Sequence, residues 1–359
     1  MTDTSTILIG ALAPLTPPGW TEAGQHLLAG IERAVQDTND GGGIGGRAIE
    51  LVVRDTAADP ARAALAVDEL DRLGVLALVG EYHSVVARSA AARADALGVP
   101  FICSSAVLDE LVDRETNWVA RLAPAQTRGW RIYGDFLLDA GHRRIAVASA
   151  PSIYWASGTR ILSDHFASRA GSVRELDVNT LAPAQVCDML AANDATALLL
   201  LAGHPEPVVS IVKTVRQDPR LPHIMIGAPA GQPEFIQWNV ALGRDGAGVP
   251  FLRYLPARLS ALGDRVEEGL RTRLGSSPSF VAYEGYDAVM VLAEALRRQG
   301  AGRAGVASSW PHLAVEGTRG TIRFSRGPGI KIWQWTGPPV QVAARDPEDP
   351  DRIRILREA

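Results

Sequence analysis

Lysine is nearly missing from this sequence: Lys213 and Lys331 are the only two among 36 basic residues, and arginine supplies the rest. That bias reflects genome composition rather than chemistry. A basic field is missing too. The formal net charge is −4, which removes the electrostatic attraction that nucleic acid and anionic lipid require. No long apolar run occurs. The longest, such as Ala195 to Ala202, fall far short of the roughly 20 residues that span a bilayer, so membrane insertion is not expected. Cysteine is scarce, with Cys103 and Cys187 alone, and the two fall in different halves of the expected fold. Free thiols and a reducing compartment follow. Met1-Thr2-Asp3-Thr4-Ser5-Thr6 has no basic patch, no apolar stretch and no cleavage site, so the chain as given reads as cytoplasmic. A periplasmic or extracellular location is the alternative if a signal has been removed.

Hydrophobic residues make up 47% and charged residues 21% of 359 positions, the profile of a globular chain long enough for two lobes. Ile7 to Leu12 reads as a buried strand, and Glu22 to Thr38 as a helix with Leu27, Leu28, Ile31, Ala34 and Val35 at helical spacing. Ile49 to Val53, Val75 to Val79 and Val99 to Cys103 are further strands, separated by helices at Ala61 to Leu73 and Val85 to Leu97. The alternation predicts an α/β fold with an open, mostly parallel sheet carrying helices on both faces. After Arg121 the plan restarts, with a helix at Thr127 to Ala140 and strands at Arg144 to Ser149, Ala195 to Ala202 and Ile224 to Gly227. Val249 to Tyr254 is expected to cross back to helices at Ala257 to Leu274 and Val281 to Arg298. Strands at Gly320 to Phe324 and Ile330 to Trp335 follow, and the Pro-, Asp- and Arg-rich tail beyond Pro338 reads as a surface extension.

Several tempting motifs fail on context. Gly41-Gly42-Gly43-Ile44-Gly45-Gly46 has dinucleotide-fingerprint spacing but lies in the order helix, glycines, strand, so it aims no helix N-terminus at phosphate. The seven histidines lack metal-ligand spacing, and no nucleophile elbow or phosphate-binding loop occurs. Asp68-Glu69 and Glu267-Glu268 read as solvated helix faces, and Asp109-Glu110 as a helix start. No cofactor, metal or catalytic residue is expected.

The informative positions follow the carboxyl ends of predicted strands, where open α/β sheets bind ligands. In the first half these are Glu81, Tyr82, His83 and Ser84, then Ser104 and Ser105, with Trp20 after the first strand. Ser84 is placed either to cap the following helix or to bind a carboxylate together with that helix's N–H groups. Trp20 is either a ligand platform or a loop-packing residue. In the second half, Tyr154 and Trp155, Gly203 and His204, and Ala230 and Gln232 occupy the matching positions.

The sequence resembles the leucine/isoleucine/valine-binding family of type I periplasmic binding proteins over nearly its whole length. The resemblance is carried by Ile9-Gly10 with Pro14-Leu15, Asn39-Asp40 through Gly43-Ile44-Gly45-Gly46-Arg47, and Ile49-Glu50-Leu51-Val52. Asp55, Gly80 with Ser84, Gly98-Val99-Pro100-Phe101-Ile102, Tyr283-Glu284-Gly285-Tyr286-Asp287-Ala288 and Gly320-Thr321-Ile322-Arg323-Phe324 complete it. It implies two lobes joined by three hinge crossings, residues 1–120 with 252–328 and 121–251 with 329–359, with ligand held in a cleft that closes on binding. By local motif the family's ligand positions fall on Trp20, Ser84, Ser105, Val107, Tyr154, Gly203 and Ala230. Val107 stands where amino-acid binders tend to carry threonine. Ala230 and Gly203 stand where an acidic residue and an aromatic neighbour usually meet the ligand's ammonium. Glu81 and Glu234 are the candidate substitutes. A buried, unpartnered ammonium costs on the order of several kcal/mol, so a plain branched-chain amino acid is a poor match. Gly80-Glu81-Tyr82-His83-Ser84 is also similar to the Gly-x-Tyr-x-Ser turn of the amide- and urea-binding branch, some members of which are cytoplasmic sensors.

The expected activity is non-catalytic capture of a small polar ligand, amino-acid-like, amide or carboxylate, for an ABC importer. Its partner is then a transporter permease, or a regulatory protein if the chain is a cytoplasmic sensor of the amide type. A transcription repressor needs a DNA-binding segment before the first strand, where only Met1 to Thr6 stand. An enzyme would have to use Glu81, His83 or His204 as acid or base.

Overall fold

The computed structural model describes residues 6–300 and 302–359, so Met1 to Ser5, on which the reading of a leaderless N-terminus rests, lie outside the described residues. The chain opens with β1 (Ile7–Ala13), α1 (Thr21–Asp40), β2 (Ile49–Asp55), α2 (Pro60–Arg72), β3 (Ala77–Gly80), α3 (Ser84–Leu97), β4 (Phe101–Cys103) and β5 (Val119–Arg121). Next come α4 (Gln126–Asp139), β6 (Arg144–Ser149), α5 (Ile153–Ala167), β7 (Ser172–Asp177), α6 (Pro183–Ala191), β8 (Ala197–Leu201), α7 (Val208–Gln217), β9 (Met225–Gly227), α8 (Ile236–Leu242) and β10 (Phe251–Arg253). The last elements are α9 (Ala261–Leu274), α10 (Phe280–Gln299), α11 (Arg303–Ser309), β11 (Val315–Gly317), β12 (Gly320–Ile322), β13 (Phe324–Ser325), β14 (Trp333–Trp335), β15 (Gln341–Arg345) and β16 (Ile353–Glu358).

These elements form two compact units, and the chain passes between them three times. The first comprises the described residues through Pro124 together with Leu255–Pro339. Its seven-stranded sheet runs β13-β14-β5-β4-β3-β1-β2, parallel except where β13 meets β14. Central strands β3 and β4 are fully buried, as a parallel sheet covered on both faces demands. Helices α1 and α10 pack at backbone distance: a Cβ on Gly30 would lie 1.8 Å from the Ala282 carbonyl oxygen, and one on Gly285 2.4 Å from that of Leu27. Helix α10 is buried almost all round, which is why its apolar residues show no single stripe.

The second unit comprises Ala125–Tyr254 and Val340–Ala359. Its parallel sheet runs β7-β6-β8-β9 around a core containing Leu198, Leu200, Val212, Ile226 and Trp238. A separate antiparallel sheet, β10-β15-β16, belongs to the same unit. Cys103 and Cys187 are free, buried and in different units, as expected.

The structure corrects five local expectations. The tail beyond Pro338 is a surface extension only in part, because every residue of β15 is buried while β16 is largely exposed. Its Arg345 is accommodated by the carbonyl oxygens of Pro233 at 2.6 Å, Glu234 at 3.0 Å and Pro350 at 2.6 Å. Residues 329–339, assigned by sequence to the second lobe, stay with the first unit because β14 pairs with β5. Arg121 through Pro124 likewise stay with the first unit, and Leu252 to Tyr254 with the second, where β10 pairs with β15. Asp109-Glu110 starts no helix and lies in the irregular loop between β4 and β5. Strand β7 went unrecognised, since this edge strand keeps only Leu176 fully buried and has no apolar run to announce it.

Candidate functional site

In both parallel sheets the predicted positions do fall at the carboxyl edge. In the first unit β3 ends at Gly80, whose φ is +120° and whose absent Cβ would sit 2.1 Å from the Leu12 carbonyl oxygen. Only glycine fits there. The chain then turns Glu81 inward rather than outward. Its carboxylate is completely buried, with Oε1 accepting from the Tyr82 and His83 N–H groups, both at 2.9 Å, and Oε2 from the Thr56 hydroxyl at 2.7 Å. Burial pushes its pKa up to about 7, against the pull of those three bonds toward the charged form. Glu81 is therefore a brace for the turn, not a group presented to a ligand, which corrects its candidacy as ammonium partner.

His83 is the N-terminal flanking residue of α3, and its Nε2 accepts the Trp20 backbone N–H at 3.1 Å. That bond requires an unprotonated Nε2, and burial holds the ring's pKa down at about 4. Tyr82 is half-buried and stacks edge-on to His83 with ring centroids 5.2 Å apart. Trp20 immediately precedes α1.

Ser84 does not cap α3. Its Oγ accepts the Val107 N–H at 3.1 Å and the Leu108 N–H at 3.3 Å, tying down the loop between β4 and β5. With both hydroxyl lone pairs engaged, Ser84 has only its proton to offer. The other side of that loop is held by Arg121, which sequence reasoning missed. Buried in β5, Arg121 donates Nη1 to the carbonyl oxygens of Val107 at 3.2 Å and Leu108 at 2.5 Å, and Nε to Gln334 Oε1 at 2.7 Å. Val107 is thus gripped through its N–H and its carbonyl, and its apolar side chain is buried.

Ser104 and Ser105 are also buried, with their hydroxyl oxygens 3.2 Å apart. Behind Ser105 lies a charge cluster inside α10 and the turn after β11. Arg319 meets Asp287 Oδ2 at 2.9 Å and Glu284 Oε1 at 3.2 Å, all three side chains being inaccessible to solvent. Desolvation raises both carboxyl groups, Glu284 to about 7, while Arg319 and the Ser105 hydroxyl pull Glu284 back down. Asp287 also takes the Thr318 N–H at 2.6 Å and hydroxyl at 2.8 Å, so it fastens the turn after β11, while Glu284 is the carboxyl group that meets the Ser105 hydroxyl.

In the second unit Tyr154 and Trp155 lie in the first turn of α5, just past β6, and are half-buried. Tyr154 meets Trp130 edge-on, with centroids 5.8 Å apart, and Trp155 at 4.7 Å. Burial raises the Tyr154 phenol and the Trp130 indole partly offsets it. Gly203 is exposed after β8, with no side chain and no neighbour to its ideal Cβ nearer than the Glu206 carbonyl oxygen at 3.9 Å. His204 lies against Trp238 at 5.9 Å, and burial lowers its pKa. Ala230 is half-buried. Gln232 is buried and donates Nε2 to the Ala202 carbonyl at 3.1 Å. Glu234, the other proposed ammonium partner, is paired with Arg253 at 2.9 Å, so its charge is already neutralised. A further residue here carried no sequence signal: Gln126, buried at the start of α4, donates Nε2 to the Tyr154 carbonyl at 3.0 Å.

Among the described residues no group of three His, Cys, Asp or Glu side chains is placed to hold a metal, and no helix is long and apolar enough to cross a membrane. Glu81 is buried and His83 partly buried, and both are engaged in hydrogen bonds within the protein, which is the arrangement of a scaffold.

Two α/β units with a three-pass connection and donors at the sheet edges define a solute-binding protein of the type I periplasmic class. Residues 6–331 match the model of the periplasmic binding protein family, and the chain belongs to that family, whose members bind solutes rather than transform them. The chain is 32% identical over 177 residues to the chemotactic signal transduction system substrate-binding protein BasB of Halobacterium salinarum; the match spans 46% of this chain and 41% of that protein. The leucine binding protein LivK of Thermotoga maritima superposes with a TM-score of 0.85 at 20% identity, covering 98% of both chains. A solute binding protein of an ABC transporter from R. palustris, solved with benzoate, superposes at 0.80 with 18% identity over 99% of this chain and 96% of that one.

Proposed function

We propose that this protein captures a small organic acid that carries a carboxylate and no ammonium, as the solute-binding component of an ABC importer. The observation that carries the reading is the Ser84 hydroxyl. Two backbone N–H groups fill its lone pairs, so it presents a proton beside the first turn of α3, whose N–H groups have no carbonyl four residues behind them. Donors at a helix N-terminus suit an anion. The second unit supports the other half of the reading. Gly203 and Ala230 bring no charge, and Glu234 is committed to Arg253. Leucine and benzoate, the ligands named for two similar structures, share a carboxylate and differ in the ammonium.

In this proposal Trp20, Tyr82, Ser84, Ser104 and Ser105 with the Val107 loop serve the carboxylate end, and Tyr154, Trp155, His204 and Gln232 flank the remainder. A ligand bonded to both units favours a closed form by its differential affinity, and a partner protein recognises that form. The test is calorimetry with benzoate, with leucine, and with 2-hydroxyisocaproate, which replaces leucine's ammonium by a hydroxyl. The hydroxy acid should bind at least about tenfold more tightly than leucine, the least that an uncompensated ammonium should cost. Tighter binding of leucine would overturn the reading. Small-angle scattering should show the radius of gyration fall when the acid is added, and unchanged dimensions at saturation would sink the closure step.

A second reading concerns the partner alone. The match to BasB supports a signal transducer in place of a permease. Uptake of labelled acid by cells with and without this gene separates the two: equal uptake favours transduction.

A further inference from the structure

Among the second unit's buried amide oxygens that meet no donor are those of Gln126 and Gln232. Gln126 and Gln232 are only 1% and 2% exposed, and each spends its NH2 on a backbone carbonyl, that of Tyr154 and that of Ala202 respectively. Those bonds fix the orientation of both amides, because exchanging O and N would set carbonyl against carbonyl. Each Oε1 is buried and meets no donor. An unsatisfied buried acceptor costs about 1–3 kcal/mol, and native structures hold few of them without a reason.

Both belong to the ligand-binding edge of their sheet. Helix α4 precedes β6 and returns along the sheet, which puts its first residue, Gln126, at the carboxyl ends of the strands, where Tyr154 follows β6. Gln232 follows β9 and grips the residue immediately after β8.

We infer that the Oε1 atoms of Gln126 and Gln232 are specificity-determining acceptors for uncharged N–H or O–H groups on the ligand. The inference rests on the solute-binding reading above and narrows it: the solute is a carboxylic acid bearing a neutral hydroxyl or primary amide away from its carboxylate. An amide oxygen supplies a partial charge, which satisfies a hydroxyl or amide proton fully but leaves an ammonium largely uncompensated.

The experiment compares 4-hydroxybenzoate with benzoate, and glutaramate with pentanoate, by calorimetry on the wild type and on Gln126→Met and Gln232→Met. Methionine keeps the side-chain length and removes the acceptor. The wild type should favour the donor-bearing member of at least one pair by about tenfold, as one buried hydrogen bond allows. At least one methionine variant should lose most of that preference, the ratio of the two affinities within the pair falling toward one, with a melting temperature showing that it folds. A wild type indifferent within both pairs overturns the inference and assigns the two oxygens to ordered water, even if one or more of the acids bind. A preference that survives in both variants overturns it equally. Failure of all four acids and of 2-hydroxyisocaproate to bind the wild type is a different result: it defeats the organic-acid reading itself, and this inference with it.

Discussion

The two carboxyl edges of this molecule are built on opposite plans. At the first unit's edge nearly every polar side chain is already committed to the protein: Glu81 to Thr56 and two N–H groups, His83 to Trp20, Ser84 to Val107 and Leu108, Arg121 to their carbonyls. At the second unit's edge Gly203 and Ala230 contribute no polar side chain, and two glutamines keep an oxygen in reserve. A rigid donor scaffold suits a group common to many solutes, while a sparse edge is where side chains can change without disturbing the frame. Under the proposed function, the first edge supplies affinity for a shared carboxylate and the second selects among the molecules that carry one.

Substitutions of matched chemistry at the two edges test that contrast. The largest effect belongs to Gly80→Ala, which forces a methyl against the Leu12 carbonyl at a positive φ; chemical denaturation should show a loss of about 3 kcal/mol or more. Arg319→Met comes next. It strands Glu284 and Asp287 in the interior and should cost about 3–5 kcal/mol at neutral pH, with partial recovery in acid as the carboxyl groups protonate.

Glu81 makes a pH-dependent prediction of similar size. Its folded pKa, about 7, stands above its ordinary value of 4.5. Between those limits the folded chain keeps a proton that the unfolded chain has released, so this group's contribution to stability falls as pH rises through the window. Relative to Glu81→Gln, the wild type should lose on the order of 3 kcal/mol between pH 4.5 and 7, and parallel stability curves would refute it.

Ser84→Ala leaves two loop N–H groups without their acceptor and should cost about 1–3 kcal/mol in stability, together with a marked loss of affinity for the acid. The smallest change is expected from Gly203→Ala on the second edge, where an added methyl has room; stability should move by less than about 0.5 kcal/mol. A large loss there would erase the contrast between the edges.

Much of this architecture was legible in the residues. Strands such as Ile7–Ala13 and helices such as α1 carry their period in the chain, because one buried face repeats at a fixed interval. The placement of Ser84, Ser105, Tyr154 and Gly203 at strand ends followed from element order alone. The tail escaped because the burial of Arg345 depends on carbonyl groups more than a hundred residues distant, and arginine in a polar segment otherwise signals surface. Gln126 and Arg121 escaped for a related reason: their partners, apart from the distant Gln334 side chain, are backbone atoms, which every residue possesses and no sequence pattern distinguishes.

By itself, then, the order of residues determined the alternation of strands and helices, the parallel sheets and the rim positions that follow them, since these depend on local periodicity and turn chemistry. Tertiary structure alone decided that Glu81 faces inward, that Ser84 braces a loop instead of capping a helix, and which atom of each glutamine is left without a partner. Those outcomes depend on hydrogen bonds between segments far apart in the chain, and a bond of that kind exists only once folding has brought its donor and acceptor within about 3 Å.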